Sequence, residues 1–474
     1  MSDAEADAQA NTQAIAQGLA YLADLAKFGL VPTLERIEYL LRSLGQPQLK
    51  YPVVHVAGTN GKGSTARYIA QILTESGLAV GLFTSPHLEK YNERIMVQGR
   101  QISDADLLAL IEVMKPLAQA AVAEVGHPTE FEMSTAMAFY HFAQVHVDIA
   151  VVEVGMGGLW DSTNVVRPLV SIITPVGMDH MNRLGNTLAE IATQKAGIIK
   201  QGCPVVVAPQ KDAALASILA VARRQQAPVF HVPAAGEICT AQVEDAQHVD
   251  VEIVPHSWGI AGGKFGLRGA GWAWDRLQIR LLGRHQIDNA AVAVTACRVL
   301  VQAGLHITPT QVELGLWNTF WPGRLELLEP LELSSGQPKL LLDGAHNAEG
   351  AAVLAQALRE IFNGRKITLV IGVLAEKPVA DELRLLLPLA ARVICTAPKH
   401  GRTPPLPPAE LAKMVAVSVA DLGLAPLPVT AEPDSVTAVR TALSGAGEDD
   451  VVCVCGSLHL VGEVRSTFGP NRGL

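Results

Sequence analysis

Short apolar runs recur along the chain, each followed by polar or helix-forming sequence: YPVVHVA (51–57), AVGLFT (79–84), DIAVVEV (148–154), LVSIIT (169–174) and CPVVVA (203–208). They are continuous and rich in β-branched residues rather than alternating, which marks strands covered on both faces, as in a parallel sheet. The pattern begins again at KLLLDGAH (339–346), ITLVIGV (367–373), ARVICT (391–396) and DVVCVCG (450–456). Between the two sets a Trp/Pro/Gly turn, NTFWPGRLE (318–326), reads as a domain boundary. The expectation is an α/β chain with a mainly parallel sheet in a first domain, residues 1–322, and a smaller Rossmann-like α/β domain over 323–474. Residues 232–282 carry alternating and irregular stretches (AQVEDAQHVDVEIVP, DRLQIRLLG) and read as a β-rich excursion. The proline-rich PKHGRTPPLPP (398–408) reads as a surface loop.

Composition narrows the function classes. Of 474 residues, 49% are hydrophobic and 18% charged, enough for a large core and too apolar for wholesale disorder. The net charge is −9 with no basic block, which argues against nucleic acid as a partner; an anionic small molecule would have to be held by local arginines and lysines. The opening MSDAEADAQANTQ has neither a basic nor an apolar leader segment, and no apolar run approaches the roughly 20 residues of a membrane span. A cytoplasmic protein without a membrane partner is expected. The six cysteines are scattered, and C-x-C in VVCVCGS lacks zinc or redox spacing, so they read as core residues in a reducing compartment.

The stretch VVHVAGTNGKGSTARYIAQIL (53–73) carries the chemistry: a strand, a loop with three glycines and a lysine, then an amphipathic helix. Gly58, Gly61 and Gly63 permit positive φ and close backbone approach, so several N–H groups can point at one anion. Lys62 can reach phosphate oxygens, and Ser64 and Thr65 sit at the helix start, where the dipole also favours an anion. The order strand, loop, helix suits a P-loop-type ATP-binding domain, although a purely structural turn has the same shape. The usual G-x-x-x-x-G-K-[ST] pattern fails, because Gly63 separates Lys62 from Ser64 and Val56 stands where the first glycine belongs.

With its extra glycine, GTNGKGS resembles the ATP loop of the Mur ligase superfamily. SPHLEKYNERI (85–95), GMGGLWDSTN (155–164), LGNTLAEIATQKAGIIK (184–200), HQIDNA (285–290), WPGRLE (321–326), DGAHNAEG (343–350) and CGSLHLVGEV (455–464) follow in order and resemble motifs of its folylpolyglutamate synthase branch, often bifunctional with dihydrofolate synthase. The resemblance implies an ATP-dependent ligase that adds L-glutamate to folates, and in bifunctional members to dihydropteroate, through an acyl phosphate.

What the resemblance implies can be set out residue by residue. ATP would lie on Gly58, Thr59, Asn60, Gly61, Lys62, Gly63 and Ser64, with Asn289, Arg324 and Asp343. Magnesium, in two sites, would be held by Ser85, Glu153, His180 and Lys195 as a carbamate. Glu153, at the end of its strand, stands where open α/β sheets bind ligands. A histidine is the less obvious ligand, since magnesium prefers oxygen. Lys195 lies in a helix capped by Asn186 or Thr187; by itself a helical lysine is a solvated one. Lys62, Lys195 and His346 are the expected catalytic residues. Arg324 suits a phosphate because guanidinium pairs with it bidentately. The pterin side would use Lys27, Phe28, Gly29, Leu30, Thr129, Phe131, Trp160, Asp161 and Ser162. Here the chain departs from its family: Leu159 and Trp160 replace an arginine and a leucine, Gln194 a glutamate, and Ala348 a proline. Trp160 is placed either to stack on a ring or to pack in the core. Family precedent implies a monomer.

Two other readings remain open from the sequence: a Mur-type ligase for another carboxylate substrate, such as a peptidoglycan precursor, and a nucleotide-dependent switch or ATPase. The first is disfavoured by SPHLEKYNERI and TQKAGIIK, the second by the absence of an N-K-x-D guanine signature.

Overall fold

A computed structural model of the chain describes residues 3–29, 31–235, 248–269, 272–328, 338–375, 379–399 and 403–470. Leu30, the whole of AQVEDAQ (241–247) and part of the proline-rich loop lie outside the described residues. The apolar runs fold into strands as expected. The large sheet comprises β1 (Val53–Ala57), β2 (Val80–Phe83), β3 (Ile95–Val97), β4 (Arg100–Gln101), β5 (Ile149–Glu153), β6 (Pro168–Ile173), β7 (Val205–Val207), β8 (Val229–His231) and β9 (His248–Asp250). Their order is β4-β3-β2-β5-β1-β6-β7-β8-β9, parallel apart from the β2–β3 and β3–β4 pairs. Every residue of β1 and β5 is buried, as their unbroken apolar sequences require.

Helices cover both faces. Lys62–Glu75 and Arg284–Gln302 pack Ile69, Ile72, Leu73, Ile287 and Val294 over one face, and Glu35–Ser43, Asp104–Glu124 and Glu130–Gln144 pack Leu40, Ile111 and Phe139 over the other. Three antiparallel strands, β10 (Glu252–Gly259), β11 (Gly262–Gly269) and β12 (Trp272–Ile279), form the β-rich excursion.

The second sheet holds β13 (Glu326–Leu328), β14 (Lys339–Leu342), β15 (Ile367–Ile371), β16 (Ala390–Cys395), β17 (Val429–Ala431) and β18 (Val451–Cys455), in the order β13-β14-β18-β15-β16-β17. Only β13 runs antiparallel to its neighbour. Cys395, Cys453 and Cys455 are buried core residues here, as the composition suggested.

The site is prepared by topology. β1 lies between β5 and β6, with Val56 opposite Glu153 and Ala57 opposite Ile173. From β1 the chain crosses over β5 to β2, and later returns to add β6 on the other side, so the connections diverge around β1. The carboxyl ends at such a switch point leave an open crevice. Gly58, Glu153 and Thr174 all sit there, one at the end of each strand.

Candidate active site

The loop that leaves β1 is shaped by glycine. Gly58 has φ +148°, and a Cβ on it would stand 1.9 Å from Thr174 Oγ1. Gly61 has φ +83°, caps the helix Lys62–Glu75, and a Cβ there would come within 2.5 Å of Asn289 Oδ1. No side chain fits at either place, so the loop lies flat against Thr174 and Asn289 with its N–H groups gathered at the helix start. Thr59 is pinned to the turn after β6 by two bonds with Gly177, Oγ1 to the carbonyl (3.2 Å) and the Gly177 N–H to Oγ1 (3.0 Å). Lys62 Nζ donates to the Thr59 carbonyl at 3.1 Å, folded back over the loop. Ser64 is buried and accepts from Gln286 Nε2 at 3.3 Å; Gln286 in turn holds Asn289 at 3.2 Å.

Beside the loop sits an acid that is costly to keep charged. Glu153 is 4% exposed, and burial pushes its carboxyl up to about 7, against the pull of Lys62, the Ser85 N–H and Arg324. The Ser85 N–H donates to Glu153 Oε2 at 3.2 Å, so two of the expected metal residues are joined directly. Lys195 is 3% exposed, not solvated as an ordinary helical lysine would be. Its helix, Leu188–Ala196, starts at Thr187, whose side chain accepts from Glu190 N–H in a capping box; Thr187 rather than Asn186 is the cap. Lys195 Nζ donates to the Gly58 carbonyl at 2.7 Å. Burial, reinforced by Lys62, brings its pKa down to about 7, with Asp179 and Asp161 opposing. His180 begins the short helix Met181–Leu184; its side chain is half exposed and lies 3.9 Å from Asp179.

From the second sheet, Asp343 follows β14 and accepts the N–H groups of Leu325 and Ala345, both at 2.9 Å. Burial raises its pKa, and Arg324 opposes that shift, as it does at Glu153. His346 Nδ1 meets the Gly344 carbonyl at 2.7 Å; a carbonyl only accepts, so Nδ1 carries the proton and Nε2 is the basic nitrogen. Glu349, in the first turn of Ala348–Ile361, reaches the loop: Asn60 Nδ2 donates to it at 3.4 Å and Lys211 Nζ at 2.9 Å. Asn347 Nδ2 donates to Asn60 Oδ1 at 3.4 Å. The C-terminal unit thus closes over the glycine loop through DGAHNAEG.

The residues expected on the pterin side divide. Phe28 stacks on His127 with centroids 3.9 Å apart and planes 1° from parallel. Lys27 is exposed and pairs with Asp24 at 2.6 Å, and Gly29 follows at φ +66°. Thr129 caps Glu130–Gln144, and Glu132 receives its N–H (2.7 Å), its hydroxyl (2.9 Å) and the buried Arg36 Nε (3.1 Å). The Phe131 ring fills the space under Gly155, where a Cβ would be 2.4 Å away. Asp161 is buried and accepts from Met156 N–H (2.9 Å) and Thr163 Oγ1 (2.5 Å), while Ser162 opens a buried 3-10 turn. Trp160 is 45% exposed and Leu159 38%, which excludes the core-packing reading of Trp160.

Magnesium can be tested against these side chains. Among the described residues no three His, Cys, Asp or Glu side chains gather to hold an ion. One buried carboxylate beside a phosphate cradle instead suits a hard cation that keeps phosphate and water oxygens as its other ligands. Glu153, with its raised pKa and few partners, fits that role. The sequence reading passed over Thr174, Gly177, Gln286 and Glu349. Of these, Gln286 and Glu349 carried a signal, lying inside the HQIDNA and DGAHNAEG motifs.

Comparison with known proteins agrees with this geometry. The Mur ligase middle domain matches residues 56–297, and the Mur ligase glutamate ligase domain matches 323–458. The chain is 38% identical to the dihydrofolate synthase/folylpolyglutamate synthase of Bacillus subtilis over 93% of this chain and 95% of that one. It is 34% identical to the folylpolyglutamate synthase of Lacticaseibacillus casei, covering 95% and 97%. The structure of Mycobacterium tuberculosis folylpolyglutamate synthase complexed with ADP superimposes with a TM-score of 0.85 at 31% identity, covering 97% of this chain and 99% of that one. A glycine loop with a buried acid and a buried lysine beside it, closed by a second α/β unit, is therefore found in a chain that belongs to the Mur ligase family, in its folylpolyglutamate/dihydrofolate synthase branch.

Proposed function

We propose that this protein is an ATP-dependent ligase that joins L-glutamate to a folate carboxylate. The observation that carries the reading is the convergence of Lys62, Glu153, Lys195 and Arg324 on the loop after β1, in a chain whose relatives are named for this activity. ATP is the phosphoryl donor; related structures hold ADP or AMPPCP.

The expected chemistry has two steps. A folate carboxylate oxygen attacks the γ-phosphorus, the bond to ADP breaks, and an acyl phosphate forms. The glutamate amine then attacks the acyl carbon, loses a proton, and expels phosphate. Gly58 to Ser64 cradle the phosphates, Lys62 swings from the Thr59 carbonyl to the γ-phosphate, and Arg324 offsets charge from the other wall. Glu153 and Ser85 would hold magnesium, which would supply neutralisation of phosphate charge. We assign Asn289 and Asp343 to nucleotide positioning, the latter through the Leu325 and Ala345 backbone. His346 Nε2 is placed as the proton acceptor for the amine. Lys195, buried and with its pKa brought down to about 7, has the neutral amine that carbamate formation requires, and is assigned as the second metal ligand in that form with His180 completing the set. We assign Phe28, Phe131 and Trp160 as apolar faces for a pterin ring, with Lys27, Gly29, Thr129, Asp161 and Ser162 as further contacts, and keep Leu30 in that set on the resemblance alone.

We place the domain boundary at 322/323, a reading supported by the separate sheets. Both walls of the site come from one chain, which supports action as a monomer. The free cysteines suit a reducing cytoplasm, and no helix among the described residues is long and apolar enough to cross a membrane. The test is product analysis with tetrahydrofolate and dihydropteroate offered side by side with ATP, magnesium and labelled glutamate. Label in tetrahydrofolate supports the reading, label in both makes the protein bifunctional, and ATP turnover without label in either overturns it.

A further inference from the structure

A cavity opens between the two α/β units on the side of the large sheet that carries Lys62–Glu75, lined by Arg67, Thr84, Gln101, Trp321, Arg324 and Leu458 among others. We propose that this cavity is a carboxylate subsite, anchored by Arg67, for a free carboxylate of the glutamyl substrates; this rests on the ligase reading above.

Arg67 is 6% exposed, yet its guanidinium has a single partner among the described residues, the Phe320 carbonyl, reached from Nε at 3.3 Å. Four of its five N–H donors are left. Buried arginines are ordinarily matched by a carboxylate, because a desolvated cation without a counter-charge is costly. The other buried arginines among the described residues follow that rule: Arg36 pairs with Glu132, Arg94 with Glu130, and Arg465 with Glu326. Arg67 alone among these four has none. Burial lowers its pKa to about 10 with no acid opposing the shift.

One carboxylate does line the cavity, that of Glu93, but it is already engaged. Its oxygens accept the N–H groups of Leu88 (2.6 Å), Glu89 (2.8 Å) and Lys90 (2.8 Å). The second cation on the wall, Arg324, is drawn towards Glu153 and Asp343. The cavity is also tied to the reaction centre. Thr84 precedes Ser85, and Trp321 stands against the ATP loop, its Nε1 3.2 Å from where a Cβ on Gly63 would be. A cavity beside the acyl-transfer point, with one cation held ready and unneutralised, recognises an anion whose reactive end lies at the phosphates. The glutamyl group has that form, and its carboxylate has two sources: the incoming amino acid, or the tail of a folate that already carries glutamates.

Arg67→Gln removes the charge and keeps much of the side chain. Loss of a charge-assisted hydrogen bond of this kind is expected to raise KM by about 10- to 100-fold for whichever substrate supplies the carboxylate, with the KM for ATP within about 2-fold. Arg67→Lys should recover part of the loss. A rise for L-glutamate identifies the incoming amino acid; a rise for diglutamyl but not monoglutamyl tetrahydrofolate identifies the tail. Gln101→Glu, which sets an anion in the same cavity, should give the same loss and serves if Arg67→Gln does not fold. Unchanged constants for every substrate in the folded variant overturn the subsite. Should wild-type protein add glutamate to no folate, the ligase reading fails by itself. Calorimetric titration of glutarate then decides the cavity: binding that Arg67→Gln abolishes supports it, and no binding to wild type overturns it.

Discussion

Glu153→Gln separates what the site needs from what the fold prefers. The carboxyl is 4% exposed and its pKa is raised from 4.5 to about 7, so the folded protein holds this proton more tightly than the unfolded chain does. The sign follows: below pH 4.5 the group costs nothing, and stability is lost as pH rises towards 7, beyond which the penalty is complete. A shift of that size is worth about 3 kcal/mol at 1.36 kcal/mol per pKa unit. Glutamine keeps the shape and an oxygen for the Ser85 N–H at 3.2 Å, and carries no charge at any pH. Without nucleotide or magnesium the variant should therefore be more stable than wild type by about 3 kcal/mol at pH 8.5 and by less than about 1 kcal/mol at pH 5. Urea midpoints of both proteins at the two pH values give the comparison. Turnover should move the other way, falling about 100-fold or more, with a weaker response to added magnesium. A variant less stable than wild type at pH 8.5 would show that Glu153 gains more from Lys62 and Arg324 than burial costs it. An unchanged magnesium dependence would make it a structural acid.

Lys62→Ala should remove most activity, about 100-fold or more, in a protein that still folds, because among the described residues Lys62 hydrogen-bonds only its own loop; turnover near wild type would refute the phosphate role. Lys195 should take up carbon dioxide: 13C-bicarbonate should give a carbamate signal that Lys195→Arg lacks. Since the amine is protonated below its pKa of about 7 and neutral above, that signal should grow as pH rises through 7 at fixed dissolved carbon dioxide, and its absence at pH 8.5 would end the idea. Arg36→Met leaves Glu132 buried without its cation and should cost about 3–5 kcal/mol in denaturant unfolding, loosening the Thr129 cap and the Phe28–His127 stack with it. A change below about 1 kcal/mol would mean that Glu132 is satisfied by Thr129 alone.

Much of this protein is determined locally and is legible in the chain. A strand buried on both faces must be apolar throughout, so β1, β2, β5, β6, β7, β14, β15, β16 and β18 announce themselves as continuous runs. A loop that places its backbone against Thr174 and Asn289 must be glycine at 58 and 61, and those glycines are visible without knowing what they touch. Other short strands escaped because no longer apolar run marks them: β4 has two residues and β3, β8, β13 and β17 three each, whereas the equally short β7 lies within CPVVVA. Charge state and partnership were decided only by tertiary structure. Lys195 looks like any helical lysine until the helix Leu188–Ala196 is packed beside β1, where lost hydration brings its pKa down to about 7. Glu153 is a metal candidate in the chain already, but the cost of keeping it charged arises only once β5 is set next to the loop, and Glu349 meets Asn60 across 289 positions of sequence. Trp160 gave no sign whether it would be buried, and nothing in the run STARYIAQIL marks Arg67 as a buried cation. Residue type and short spacing carry the demands of backbone geometry, while desolvation and pairing depend on neighbours brought in from far along the chain, which no local pattern encodes.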